Sequence, residues 1–560
     1  MKSLWVELRP RLGSIAAFSF FINLLFLVPA IFMLQVFDRV LPSNSRETLI
    51  VLVAGTAIAL VILLFLDYVR NRLQNLLGNI IDEHLSPPVV SAIVTQTARA
   101  PHNVRSDGIR DVATLRTLFS ANGLIALFDA PWVVIYVAVI WLFHPALGMG
   151  AALAAILMLT LAWLNDRVSR GVLDELQKEG RRATQYVESS LRNAEVLQAL
   201  GMTENLLSRW RKLQQQIAAT QTSASRRTVS FTAITKFLRQ AIQIGMLALG
   251  AYLVLTQQAS AGIMIATTVL LGRAVQPVEQ LVASWRMLTD ARSAYRRLSD
   301  LSAHFEREEP RVTIPRPQGL LTVDSVSFRA PGTEKPILVN ISFSLAAGEA
   351  LAILGPSAAG KSTLARLLTG IWSSSTGAVR LDGADLAHWP RQTLGPWIGY
   401  VPQDVELFDG TVADNIARLG EVNSETVVAA ANRANVHEMI LGLEHGYDTR
   451  VGEQGARLSP GQRQRIALAR ALYGDPRLVI LDEPNANLDG EGEIALAQAM
   501  SGLRNEGITS IVITHRPSLI AHVDKILMLN GGRVQKFGPA GEVMKALQQQ
   551  AQVILNEKAA

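Results

Sequence analysis

Six apolar runs in the first half of the chain limit its folds more than any other feature. Leu12–Val36 and Leu49–Leu66 are separated by a short polar turn holding Pro42, Ser43, Asn44 and Ser45. Gly123–Phe143 and Leu147–Leu164 are parted by His144, Pro145 and Ala146, and Phe237–Leu255 and Ala261–Val275 form a third pair. A bilayer-crossing helix needs about 20 apolar residues, so the pattern predicts six membrane spans in three hairpins. A soluble protein with buried helices does not need runs repeated at this length. Nor does Leu12–Val36 read as a secretory signal, because it is too long and no small-residue cleavage site follows. Lys2, Arg9, Arg11, Arg70 and Arg72 flank the first pair, which predicts a cytoplasmic N-terminus. The stretches Val69–Ser120 and Asn165–Thr235 are polar and helical in pattern and are read as two excursions outside the bilayer. If the second is a pair of antiparallel helices of about 30 residues, it reaches about 45 Å. Their midpoints, Asp107–Leu115 and Ala199–Leu206, are expected to carry short coupling helices. Inside the spans lie Asn23, Asp129, Gln240 and Gln243. Such residues face a bundle interior or a watery pathway, and for Asn23 interhelical hydrogen bonding is the equal alternative. Pro29 and Pro131 are expected to kink or begin helices.

The composition fits a membrane protein: 49% hydrophobic and only 18% charged residues over 560. A net charge of +6 is modest for this length and needs no nucleic acid to explain it. The absence of cysteine rules out disulfides, zinc–thiolate sites and thiol catalysis.

After Glu306–Glu309 come Pro310, Pro315, Pro317 and Gly319, a linker composition. From Leu320 short apolar strands alternate with helices, an α/β pattern. Gly355, Pro356, Ser357, Ala358, Ala359, Gly360, Lys361, Ser362 and Thr363 fit a phosphate-binding loop. The strand-like run Leu351–Leu354 precedes it, and a helix is expected from Leu364. In such a loop backbone amides wrap a phosphate, the lysine reaches the β/γ-phosphates and the serine ligates magnesium. Leu478–Leu481 is a second buried strand, ending in Asp482 and Glu483. A carboxylate there can hold Mg²⁺ through water, and the next can polarise an attacking water. Ser459 is a good N-cap and Pro460 suits the first helical position, ahead of a helix over Arg463–Leu472. The Ser459 hydroxyl and the exposed amides of that helix start can clamp a γ-phosphate.

With these residues in order, the second half resembles the nucleotide-binding domain of an ABC transporter. The set is the loop, Gln403, Ser459–Gln462, Asp482–Glu483, Asp489 and His515. The resemblance implies ATP and Mg²⁺ as cofactors, with Glu483 as catalytic base and His515 at the γ-phosphate. It implies that Gln403 couples magnesium to the membrane domain and that Asp489 lies in a loop crossing a dimer interface. Ser459, Gly461 and Gln462 would bind the nucleotide of the opposite domain, and Ser362, Gln403 and Asp482 would surround the metal. Val451–Gly455 resembles the motif that marks exporters. Two positions depart from the family: Pro460 replaces a glycine, and Arg329 stands where an aromatic residue stacks on adenine. Arg329 can stack on the ring or point into solvent.

Over the whole length, Gln35–Leu41, Phe128–Trp132, Leu271–Ala274 and Pro402–Phe408 are similar to the type I secretion ATPases, particularly the protease exporters. Some relatives carry an N-terminal peptidase or peptidase-like domain; none is expected in the few residues before the first span. The implied fold is a membrane α-helical bundle of six transmembrane helices, a type I ABC exporter, fused to an α/β P-loop ATPase domain. Expected boundaries are residues 1–305 for the membrane domain, 306–319 for the linker, 320–545 for the ATPase domain and 546–560 for a C-terminal tail. The implied setting is the inner membrane, with the ATPase domain cytoplasmic and membrane lipids around the spans. Implied partners are a second copy in a homodimer, a membrane-fusion adaptor, an outer-membrane channel and a secreted protein with a C-terminal signal. A lipid or drug exporter shares this architecture. Soluble ABC ATPases of translation or repair lack the spans.

Overall fold

The computed structural model describes residues 2–99, 107–120, 122–191, 193–303, 315–331, 333–546 and 548–549. Most of the expected linker and tail lies outside these. Contacts divide the chain into two units, Met1–Val94 with Arg105–Arg307 and Thr95–Val104 with Glu308–Ala560.

The first unit is helical. Its elements are α1 (Lys2–Leu25), α2 (Val28–Gln35), α3 (Arg46–Arg99), α4 (Asp107–Ser120), α5 (Asn122–Asp129), α6 (Trp132–Phe143), α7 (Pro145–Leu191), α8 (Thr203–Leu255) and α9 (Ala261–Ala303). Among the described residues six stretches are long and apolar enough to cross a membrane: Trp5–Ser43, Arg46–Arg99, Leu124–Phe143, Pro145–Asn165, Val229–Leu255 and Ala261–Leu281. Both expected prolines act as helix starts. Pro29 sits in the first turn of α2, and Pro131 is the N-cap of α6. In α3, α7 and α8 an excursion limb is continuous with a span. The 54 residues of α3 make a rod of about 80 Å at 1.5 Å per residue.

Leu77, Ile81, Val112, Ala294 and Leu298 form one buried cluster, and Tyr136, Ile140, Leu147, Ala266 and Leu270 another. Between α1, α3, α5 and α6 the span polar residues bond to one another. The Asn23 amide donates to Asp129 Oδ1 (2.6 Å), and the Tyr136 hydroxyl donates to Asn23 (2.9 Å to its carbonyl, 3.0 Å to its side chain). Arg70 donates to Asp67 (2.6 Å) and lies 3.7 Å from Asp129. Asn23 thus serves interhelical bonding, whereas Gln240 and Gln243 lie on the exposed side of α8. At the turn before α9, Asp38 accepts from Ser260 Oγ (2.6 Å) and the Gly262 amide (2.9 Å). Any Cβ at Gly262 would sit 2.6 Å from that carboxylate.

The two excursion tips differ from expectation in one case. The second turns at Leu200–Met202, between the helix Ala194–Ala199 and α8, inside the expected segment. The first does not turn at Asp107–Leu115. That stretch is α4, with Val112 and Leu115 buried and Asp111 paired to Arg297 of α9 (2.6 Å). Residues 95–99 group instead with the second unit, where the Trp372 indole donates to the Ala98 carbonyl (2.9 Å).

The second unit holds two sheets. β1 (Leu321–Phe328), β2 (Leu338–Leu345), β4 (Thr376–Leu381) and β5 (Ala384–Asp385) form an antiparallel sheet in the order β2-β1-β4-β5. The second sheet has the order β10-β9-β3-β8-β7-β6, using β3 (Ala350–Leu354), β6 (Ile398–Val401), β7 (Leu478–Asp482), β8 (Thr509–Ile513), β9 (Lys525–Asn530) and β10 (Arg533–Pro539). Its strands β9, β3, β8, β7 and β6 run parallel. Every residue of β3, β7 and β8 is buried, as a parallel sheet covered on both faces requires, which is why these strands read as unbroken apolar runs. Ligands of such sheets bind beyond the carboxyl ends of the strands. The loops after β3, β6, β7 and β8 carry the phosphate loop, Gln403, Glu483 and His515.

Candidate functional site

The phosphate loop is set by backbone constraints. A Cβ at Gly355 would meet the Leu529 carbonyl at 2.2 Å, so only glycine lets the chain leave β3 there. Ala358 and Gly360 have φ of +64° and +97°, which turns the loop back into a helix, α10 (Lys361–Leu368). The helix starts three residues before Leu364, because the left-handed Gly360 serves as its N-cap. Pro356, Ser357 and Ala358 are exposed, while Lys361 is buried. The Lys361 ammonium donates to the carbonyls of Gly355 (2.7 Å) and Pro356 (3.2 Å) and lies 3.2 Å from His515 Nε2.

Asp482 ends β7 and is 2% exposed. Burial pushes its carboxyl above the usual range, against a hydrogen bond to Ser362. Its Oδ1 is buried without a partner. A lone carboxylate oxygen beside a serine hydroxyl suits a hard, oxygen-seeking cation such as magnesium. Glu483 follows at φ +50°, a left-handed conformation unusual for a residue with a side chain. Its carboxylate accepts from Gln403 Nε2 (3.0 Å) and its amide donates to the Ile513 carbonyl (3.0 Å).

The structure thus brings Lys361 to His515, Ser362 to Asp482 and Gln403 to Glu483. It does not bring Ser459, Gly461, Gln462 or Asp489 to the loop: among the described residues no hydrogen bond joins 459–462 to 355–363. Ser459 instead caps α11 (Pro460–Leu472), with Pro460 at the first helical position as expected. Its hydroxyl accepts from the Gln462 amide (3.2 Å), and Gln462 Oε1 accepts from the Ser459 amide (2.9 Å), a capping box. Ser459 is exposed, leaving its hydroxyl hydrogen free to donate outward. Pro460 takes the first helical position, where its missing N–H removes a donor that had no helical partner. Asp489 caps α12 (Gly490–Asn505), accepting from Gly492 (2.8 Å) and Arg465 (2.6 Å). The Gly492 amide and then Arg465 hold its carboxyl below the usual range. Arg329 is exposed at the end of β1, its backbone amide bonded to Ser375.

Sequence reasoning missed Gln464. It is 2% exposed and donates to the Glu483 carbonyl (3.3 Å) while accepting from the Asn487 amide (3.3 Å). The available signal was a polar residue on the apolar stripe of α11, three, four and seven residues before Ala467, Leu468 and Ala471, all buried.

Comparison with known proteins agrees with both units. Residues 12–278 match the ABC transporter transmembrane region family and residues 338–486 the ABC transporter family. The type I secretion system ATP-binding protein PrsD of Rhizobium meliloti is 41% identical over 535 residues, 94% of this chain and 91% of the relative. The cyclolysin secretion/processing ATP-binding protein CyaB of Bordetella pertussis is 30% identical over 543 residues, 95% of this chain and 76% of the relative. The solved structure of a bacterial Atm1-family ABC exporter with ATP bound superposes with a TM-score of 0.83 at 24% identity, covering 99% of each chain. At that identity it supports the fold alone.

Proposed function

The chain belongs to the ABC transporters, among the type I secretion ATP-binding proteins, and from that premise we propose that it exports a polypeptide across the inner membrane at the expense of ATP. One observation carries the reading: the match to PrsD, 41% identical, extends over 94% of the chain and so takes in both the membrane and the ATPase regions. An ATPase shared with unrelated machines would match in its second half only.

In this reading residues 355–363 hold the phosphates. Lys361 exchanges the Gly355 and Pro356 carbonyls for β/γ-phosphate oxygens, and His515, already beside it, meets the γ-phosphate. Magnesium would be held by Ser362, Gln403 and, through water, Asp482, and when bound it neutralises phosphate charge. Glu483 takes the proton of the attacking water. Its bond to Gln403 supports a role for Gln403 in reporting the state of the site towards the membrane region. Ser459, Gly461 and Gln462 act on the nucleotide of a second copy, with Asp489 at the same dimer interface. Their separation from the loop within one chain supports that reading. The membrane domain spans residues 1–305, the linker 306–319, the ATPase domain 320–545 and the tail 546–560. A membrane-fusion adaptor and an outer-membrane channel complete the path, and the cargo is a protein with a C-terminal signal.

Substrate-stimulated ATPase activity in nanodiscs tests the cargo class. A polypeptide ending in a secretion signal is expected to stimulate turnover, and lipids and hydrophobic drugs are not. Stimulation by lipids or drugs alone would replace this reading with small-molecule export.

A further inference from the structure

We propose that Gln464 is a positioning residue for hydrolysis, holding the backbone of Glu483 in the conformation that aims its carboxylate; this rests on the assignment of Glu483 as base. Glu483 adopts φ +50°, a conformation that side-chain-bearing residues keep only where the surroundings over-determine it. Three ties do so here. The Glu483 amide donates to Ile513 on the neighbouring strand (3.0 Å). Its carbonyl accepts from the Ala486 amide (3.2 Å) and from Gln464 Nε2 (3.3 Å). Of these, only Gln464 reaches in through a side chain, so it can be removed without rewriting the backbone.

Its other end fixes the next turn. Gln464 Oε1 accepts from the Asn487 amide (3.3 Å), so one buried amide group clamps both ends of the Glu483–Asn487 turn. Between them, Thr514 Oγ1 donates to Asn485 Oδ1 (3.1 Å). A buried amide with both functions satisfied has little freedom to rotate, which suits a brace. Gln464 also lies five residues into the helix that Ser459 caps. The rigid helix that offers Ser459 to one nucleotide therefore braces the base facing the other. A shift of the signature helix on nucleotide binding would reach Glu483 through Gln464.

The test is a double-mutant cycle. Gln464→Leu keeps the side-chain volume and removes both bonds. It is expected to lower kcat about tenfold to a hundredfold, as small misplacements of reacting groups do, with KM for ATP and nucleotide binding within about twofold. Gln464→Glu keeps the acceptor for Asn487 but loses the donor to Glu483, and is expected to lower kcat similarly. It also decides the matter if the leucine chain does not fold. In a Glu483→Gln background, Gln464→Leu is expected to cause no further fall, because the brace acts only through Glu483. Normal kcat in Gln464→Glu, a rise in KM alone, or an additive loss in the double variant would each overturn the assignment. If instead Glu483→Gln itself hydrolyses ATP normally, the assignment of the base has failed.

Discussion

Replacing Glu483 with glutamine is expected to leave ATP binding intact and to cut hydrolysis by about 10²–10⁴-fold, the usual contribution of a positioned general base. The substitution is conservative in shape. Its amide oxygen can still accept from Gln403 Nε2, which now lies 3.0 Å from the carboxylate. What disappears is the proton acceptor. Asp482 cannot substitute, since it is buried at the end of β7 and bonded to Ser362. Single-turnover hydrolysis beside nucleotide binding checks this. Near-normal turnover would falsify the assignment of the base.

Lys361→Ala is expected to abolish export and to reduce turnover by about a hundredfold or more, the scale seen when one charge-stabilising group is removed from a preorganised site. The ammonium is buried and satisfied by two loop carbonyls, so it stands ready in the loop rather than being recruited from solvent. The loss should be in the site and not in the membrane unit, whose elution in detergent should match the unsubstituted chain. Retained ATPase activity in a well-folded variant would remove the loop from the mechanism.

The membrane spans were legible because their signal is additive: some twenty apolar residues in a row admit few readings. The buried strands were legible for a related reason, since β3 and β7 are covered on both faces and contain little else but Leu, Ile, Val and Ala. Helix starts were less so. Lys361 opens its helix earlier than the apolar pattern suggests, because the cap is Gly360 in a left-handed turn, which periodicity does not register; Ser459 as cap and Pro460 as first helical residue stand where the sequence places them. The first excursion tip was misplaced because Asp107–Leu115 is polar in sequence yet packs against α9, its Asp111 neutralised by Arg297. Gln464 was hidden because its partners are backbone groups 19 and 23 positions away in sequence.

If each ATP site is built from two copies of this chain, mixing two defective variants should rebuild one working site. Chains carrying Lys361→Ala and chains carrying Ser459→Arg, with different affinity tags, are expected to be inactive separately. Within a mixed dimer one site collects both defects. The other joins an intact phosphate loop and Glu483 from the Ser459→Arg chain to an intact Ser459 from its partner. Purified through both tags, the mixed dimer is expected to recover ATPase activity, up to about half that of the unsubstituted dimer. Recovery to that level means that the two chains share their sites. No recovery in a dimer that still forms, or full ATPase activity from a purified monomer, would contradict it.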